Sequence, residues 1–262
     1  MGQRYVFDIE TNGLLLEEIT KIHCLAIKDI DTGKEYRFRH NDEEDTIEHG
    51  VYMLNAADLI IGHNIIKYDI PVIKKFFPWF QPKKVFDTIC GTRLVYTDVK
   101  DRDFKRFRAG KLPGNMIGRH SLEAWGYRLG DYKGDFKGPW DQWTPEMDNY
   151  CLQDITVTHT LYNKLMDSGF SEESFELEME VAKIIYRQEQ HGFLFNQAAA
   201  AELYAKLAQR RDELTAELRA IFPPWETRTQ FIPKVNNKKR GYVKGVPTFK
   251  TKIVEFNPGS RQ

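Results

Sequence analysis

Four acidic residues and one tyrosine carry the chemistry that this 262-residue sequence offers. Asp8 and Glu10 stand two apart in the apolar stretch from Tyr5 to Leu14, YVFDIETNGL. In a strand, residues i and i+2 share a face, so both carboxylates point one way while Phe7 and Ile9 point the other. Two like charges roughly 5 to 7 Å apart on a half-buried surface repel, and a hard cation such as Mg²⁺ relieves them. A lone D-x-E pair also occurs on solvated strand faces, so the rest of the chain must decide. Asp69 follows GHNIIKY at the start of an expected helix, and Tyr150 and Asp154 are four apart on a later one, a spacing that places them on one face. Four such carboxylates suit two-metal phosphoryl transfer, in which two Mg²⁺ ions about 4 Å apart activate a water and stabilise the leaving oxygen. Carboxylates fit because Mg²⁺ prefers hard oxygen donors and retains waters. Tyr150, one helical turn before Asp154, is suited to hydrogen-bond the attacking water.

The elements that must position these groups follow from period and punctuation. Strands are expected at 5–14, 21–29 and 34–39, the last two joined by a turn at Asp31-Thr32-Gly33, which makes a three-stranded antiparallel start. A short helix over 44–54 precedes an apolar strand at 58–62, and a helix around 71–77 takes Pro71 in its first turn. A fifth strand over 83–86 leads to a helix capped by Asp87 and running through Leu94. Hairpins first and helix-strand alternation afterwards predict an α/β fold, a mixed sheet flanked by helices.

Residues 98–119 read as a charged, Gly-containing loop, in which Phe104 and Phe107 interleave with Lys105, Arg106 and Arg108 as in nucleic-acid-tracking segments. Ser121 caps a helix that ends at Gly130, and residues 131–143 form a second loop. Thr144 caps a helix over 145–166. Apolar stripes then predict a helical pair, from Ser171 to His191 and from Asn196 to Phe222, followed by a basic segment that holds a hairpin around Asn236-Asn237. The boundary is expected near residues 168–171, giving domains 1–169 and 170–262. His63 and His159 read as structural.

Composition adds limits. Hydrophobic residues make up 41% of the chain and aromatic ones 13%, which speaks for a globular protein. Lys and Arg number 38, as do Asp and Glu, so any basic partner surface must be local. It is: residues 228–261 hold nine Lys or Arg against one acidic residue, Glu255. The three cysteines, Cys24, Cys90 and Cys151, show no C-x-x-C spacing and indicate neither a disulfide framework nor a zinc site. With no apolar run of membrane-spanning length and no signal peptide, the expectation is a soluble protein of the cytoplasm, without a membrane partner.

In that order FDIETNGL, GHNIIKYD and YCLQD resemble the three exonuclease motifs of the DEDD superfamily, in its Tyr-containing branch. The sequence is more closely similar to the 3′–5′ proofreading domains of family A DNA polymerases from T7-like bacteriophages. GKLPG at 110–114, HSLEAWGYRLG at 120–130, RQEQHGFLFN at 187–196 and FNPGSRQ at 256–262 extend the likeness over essentially the whole chain. The resemblance implies an RNase H-like sheet, and an enzyme that releases mononucleotides from single-stranded DNA 3′ ends. It further implies two Mg²⁺ ions, with Mn²⁺ as a substitute. Asp8, Glu10 and Asp154 would hold the ion nearest the attacking water, and Asp8 and Asp69 would approach the second. Tyr150 would orient the water, Thr11 and Leu14 would touch the terminal nucleotide, and Asn64 would hold its turn or the substrate.

Palm and fingers signatures of a polymerase do not occur in these residues, so synthesis is not expected of them. The implied partners are the DNA 3′ end, the remainder of a DNA polymerase in a host bacterial cytoplasm, and a processivity factor that some phage relatives recruit through a thumb insertion beyond Gln262. Two other readings stand beside this one: an RNA-processing exoribonuclease of the same superfamily, and a dormant module that binds nucleic acid or a polymerase body.

Overall fold

The computed structural model of the chain describes residues 2–131 and 136–259. Residues 132–135, within the expected loop at 131–143, and residues 260–262, at the end of FNPGSRQ, lie outside the described residues. The chain divides into two compact units, Met1–Gly192 and Phe193–Gln262.

In the first unit β1 (Arg4–Thr11), β2 (Ile22–Asp29), β3 (Glu35–Arg39), β4 (Leu59–Gly62) and β5 (Val85–Asp87) form one sheet in the order β3-β2-β1-β4-β5. The first three strands pair antiparallel, whereas β4 and β5 continue parallel to β1, with Val6 opposite Ile61 and Gly62 opposite Asp87. This is the mixed sheet that the order of elements predicts. Parallel pairing brings the carboxyl ends of β1, β4 and β5 to one edge, where open α/β sheets form their clefts.

Two layers of helices cover the sheet. On one face Tyr5, Phe7 and Ile9 pack with Val51 and Leu54 of α1 (Ile47–Ala56) and with Val72 and Ile73 of α2 (Asp69–Phe76). On the other, Val6 joins a core with Phe86, Trp125, Cys151, Ile155 and Leu161. That core is built from α3 (Thr88–Val95), α5 (Leu122–Leu129), α6 (Pro145–Met166) and α7 (Glu172–His191). Asp8 and Glu10 continue the face of Val6, toward α6, as the period of two requires.

Caps expected from the residue types are present. The side chains of Asp87, Ser121, Thr144 and Ser171 accept the N–H groups of Ile89, Ala124, Met147 and Ser174. Gly130 closes α5 in the left-handed region at φ 76°, where a side chain would be strained. Helix α7, beyond the boundary expected near residue 169, packs within this unit through buried Phe175 and Met179.

Residues 98–119 are not a plain loop. Val99–Arg108 forms α4, and Gly114–Met116 a 3₁₀ turn. Only Val99 and Asp103 of α4 are buried, so the helix lacks the apolar stripe that sequence reading relies on. An ion pair holds it instead: fully buried Asp103 accepts Arg128 Nη2 at 2.7 Å and the Gly118 N–H at 3.0 Å.

The second unit consists of α8 (Gln197–Ile221) and an antiparallel hairpin of β6 (Trp225–Phe231) and β7 (Thr248–Val254). Within it Phe222 stacks on Phe256, and Asn237 exchanges backbone hydrogen bonds with Tyr242 inside the hairpin connection. No residue of α8 is buried, so its expected apolar stripe of Leu203, Leu207 and Leu214 is exposed in this unit.

Candidate active site

At the shared edge of β1 and β4 lies a cleft of about 470 Å³. Its lining includes Asp8, Glu10, Asp69, Tyr150 and Asp154, and also Thr11, Leu14 and Asn64, so the tertiary structure gathers all eight candidate residues. Chain order kept them up to 146 positions apart (8 to 154). Glu10, Asp69 and Asp154 are buried, and Asp8 is partly so.

Asp8 and Glu10 arrive on β1, at the last regular pairs with β2 before the register shifts between Glu10 and Thr11. Asp69 opens α2 and reaches back to the same strand, accepting the Ile9 N–H at 3.3 Å. Burial pushes Asp69 up to about 7, with repulsion from Asp87 and Asp154 adding to it and backbone N–H groups opposing it. Tyr150 and Asp154 come from the first half of α6, which crosses β1 and β2. Tyr150 packs against Phe136 and Trp140, ring centroids 5.7 and 6.3 Å away.

The turn between β4 and α2 is held by a second buried carboxylate. Asp87 accepts N–H groups from Asn64 at 2.7 Å, Ile66 at 3.0 Å and Ile89 at 3.0 Å. Asn64 itself has φ 67°, a conformation asparagine tolerates better than most side chains. Gly62 is required before it, because a Cβ there would lie 2.2 Å from Ile65 Cγ2 and 3.1 Å from the Phe7 carbonyl. His63 Nδ1 is 2.8 Å from Thr88 Oγ1, and that hydroxyl donates to the Gly62 carbonyl, so the imidazole supports the turn. Lys67 pairs with Glu189 of α7 at 2.6 Å.

Thr11 is buried, and its hydroxyl lies 2.6 Å from that of Tyr68, both converging on the Gly13 carbonyl. This fixes the bend that leads to Leu14, whose side chain is 85% exposed at the rim of the cleft rather than in the core.

Two contributors escaped the sequence reading. Cys151 donates its thiol to the Asp8 carbonyl at 3.3 Å and lies 3.6 Å from Asp8 Oδ2; burial keeps that thiol far above its ordinary pKa. Trp140 lines the cleft from the loop before α6. A buried cysteine next to a motif tyrosine and a tryptophan in a Gly-rich loop carry no local signal of such roles.

The donor set suits a divalent cation. Four carboxylates share one cleft, Asp69 is held up to about 7 by burial and by other carboxylates, and no Lys or Arg is among the described residues of the lining. Desolvated negative charge with no basic side chain in the lining is relieved by hard cations. Oxygen atoms of Asp8 and Glu10 and the Cys151 sulfur lie within 4.8 Å of one another, close enough to share one ion.

Sheet order, helical layers and the carboxylate cleft define an RNase H-like domain, and residues 5–100 match the family model RNase_H_2 of the RNase_H superfamily. Over a 263-residue alignment that covers 84% of the chain, the sequence is 34% identical to the DNA-directed DNA polymerases of Enterobacteria phage T3 and Escherichia phage T7. The domain is thus the exonuclease-type domain of the T7-like phage polymerase lineage. The chain spans 37% of the length of those polymerases. Among solved structures, Brucella melitensis NrnC shares the fold with TM-score 0.51 at 16% identity, over 74% of this chain and 90% of that one. Its structures with bound Mg²⁺ and bound to pGG match at 0.50.

Proposed function

We propose that this chain is a Mg²⁺-dependent 3′–5′ exonuclease that removes mononucleotides from single-stranded DNA ends, as the proofreading part of a phage replicative DNA polymerase. The observation that carries this reading is the meeting of Asp8, Glu10, Asp69 and Asp154 with Tyr150 in one cleft. Asp8, Glu10, Asp69 and Asp154 would hold two divalent ions, Mn²⁺ serving in place of Mg²⁺. Those ions supply the positive charge that activates water and stabilises the departing 3′ oxygen.

The protein's own side chains do the rest. Tyr150, steadied by Phe136 and Trp140, orients the attacking water through its hydroxyl. Exposed Leu14 wedges against the terminal base, and Thr11 and Asn64 shape the pocket for the terminal nucleotide. Hydrolysis forms one bond from water oxygen to phosphorus and breaks the bond to O3′, with no covalent enzyme intermediate. The exonuclease domain is assigned to residues 1–169, and 170–262 to a helical pair and the start of the thumb region, working beside the remainder of a polymerase in the host bacterial cytoplasm.

A time course on 3′-labelled and 5′-labelled oligonucleotides, with and without Mg²⁺, tests the reading. The 3′ label is expected to leave at once as mononucleotide and the 5′ label to shorten stepwise, only with Mg²⁺. Internal cuts, or cleavage in EDTA, would refute it. The fold shared with NrnC, which has been captured with pGG, motivates a second reading in which the substrate is a short RNA 3′ end. Matched DNA and RNA oligonucleotides separate the two, because the 2′-hydroxyl is the only difference. Binding that survives EDTA together with absent turnover would instead mark a dormant binding module.

A further inference from the structure

Trp140 stands apart from the metal-ligand chemistry yet lines the same cleft as Asp8, Asp69 and Tyr150. Its indole is 40% exposed, unusual for a large aromatic side chain in a polar setting. The ring does not lie flat on its neighbours. It meets Phe136 at 4.8 Å with an 80° interplanar angle and Tyr150 at 6.3 Å with 82°, both edge-on arrangements.

The backbone beneath it is pinned from a distance. His23 on β2 is wholly buried, and its Nε2 lies 3.0 Å from the Trp140 carbonyl, 117 residues away in the chain. A carbonyl can only accept, so Nε2 carries the proton and Nδ1 is left as a buried lone pair, without a hydrogen-bond partner among the described residues. Burial holds the imidazole below its ordinary pKa, which keeps it in this neutral, single-donor form. His23 precedes Cys24, which pairs with Glu10, so this one bond ties the loop to the strand beside the carboxylates. Near its other end the loop is held by Trp143, whose Nε1 donates to Asp148 at 3.0 Å, while Asp148 also accepts Arg39 Nε at 2.6 Å. An exposed indole fixed at both ends of its segment, over a cleft that binds phosphodiesters, is suited to stacking on a nucleobase.

We propose that Trp140 is the platform on which a nucleobase at the 3′ end stacks, and that His23 is the positioning residue that holds the platform in place. The proposal rests on the exonuclease reading for its substrate, and it adds an aromatic surface that accepts any base, since every base presents a π face.

The test uses the full chain and two oligonucleotides that differ only at the 3′-terminal residue, one bearing thymine and one abasic. Trp140→Ala is expected to lower kcat/KM about tenfold on the intact end. On the abasic end the loss shrinks to within about twofold, and Trp140→Phe keeps most activity on both. Equal loss on both substrates overturns the platform. His23→Leu is expected to reproduce the Trp140→Ala pattern with an unchanged circular dichroism spectrum, and His23→Gln, which keeps a donor at a similar reach, to restore activity. A folded His23→Leu with full activity overturns the positioning role.

Binding of the thymine oligonucleotide with Ca²⁺ in place of Mg²⁺ supplies a readout independent of turnover. It is expected to quench tryptophan fluorescence in the wild type and to lose most of that quench in Trp140→Phe. A Trp140-dependent quench without any cleavage would sink the exonuclease reading and leave the platform standing; cleavage with an unchanged quench in Trp140→Phe would do the reverse.

Discussion

Asp69 and Asp87 are both buried, at the adjacent carboxyl ends of neighbouring strands, and burial raises both, to about 7 and about 6. Their surroundings differ in kind. Asp87 is met by three backbone N–H groups, from Asn64, Ile66 and Ile89, and the nearby charge of Arg93 lowers it further. Asp69 is met by the Ile9 N–H and by its own backbone, while Asp87 and Asp154 repel it. One carboxylate is therefore compensated inside the fold and shapes a turn. The other carries a charge whose compensation the fold leaves to a cation. The same residue type, buried to the same degree, serves as scaffold or as ligand according to where its counter-charge comes from.

Breaking the ligand side of this contrast should have the largest effect. Asp8→Ala combined with Glu10→Ala is expected to cut Mg²⁺-dependent nuclease activity by at least about a thousandfold, with little change in melting temperature. Substantial residual activity in a clean preparation would end the two-metal assignment. Asp69→Asn comes next: a loss of about a hundredfold in kcat, yet a metal-free fold at least as stable as the wild type at pH 7, because a repelled charge has been removed. If the variant unfolded more easily without metal, Asp69 would belong with Asp87 as scaffold.

The scaffold side should respond in the opposite sense. Asp87→Ala strips three N–H groups of their acceptor and should destabilise the fold by about 3 kcal/mol, measured by urea unfolding. Activity should fall only as far as the turn carrying Asn64 loosens. Smallest, and sharpest as a comparison, is the pH dependence of the metal-free protein. Asp69 binds its proton more tightly folded than unfolded, so the stability it contributes is fully present below about pH 4 and is lost as pH rises through about 7. Melting temperature should therefore decline over that range, less steeply in Asp69→Asn, and Mg²⁺ should flatten the decline at its upper end. An identical slope in wild type and variant would show that Asp69 is not the group responsible.

Much of this was legible in the chain. The alternation around Asp8 and Glu10 placed both carboxylates on one face, and the pairing of Phe7 and Ile9 with the opposite core bears that out. Capping residues marked α5, α6 and α7 closely, because a cap is a contact among residues three apart. Helix α4 was missed for the converse reason: what stabilises it is Asp103 against Arg128, 25 residues on, and neither residue advertises its partner. For α8 the stripe is present in the sequence, but the second unit buries none of it.

By itself, then, the sequence determined the local terms: strand period, helix ends, the glycine that lets β4 pass Ile65 and the Phe7 carbonyl, and which residue types could bind a hard cation. Only the tertiary structure decided which of them meet. Asp69 reaches the Ile9 amide, Asp87 gathers the turn around Asn64, and His23 takes hold of Trp140, all across loops whose closure no local pattern encodes. Propensity and capping act over a few residues, whereas burial and its charge balance are properties of the packed whole, and in this protein those long-range contacts separate a ligand from a strut.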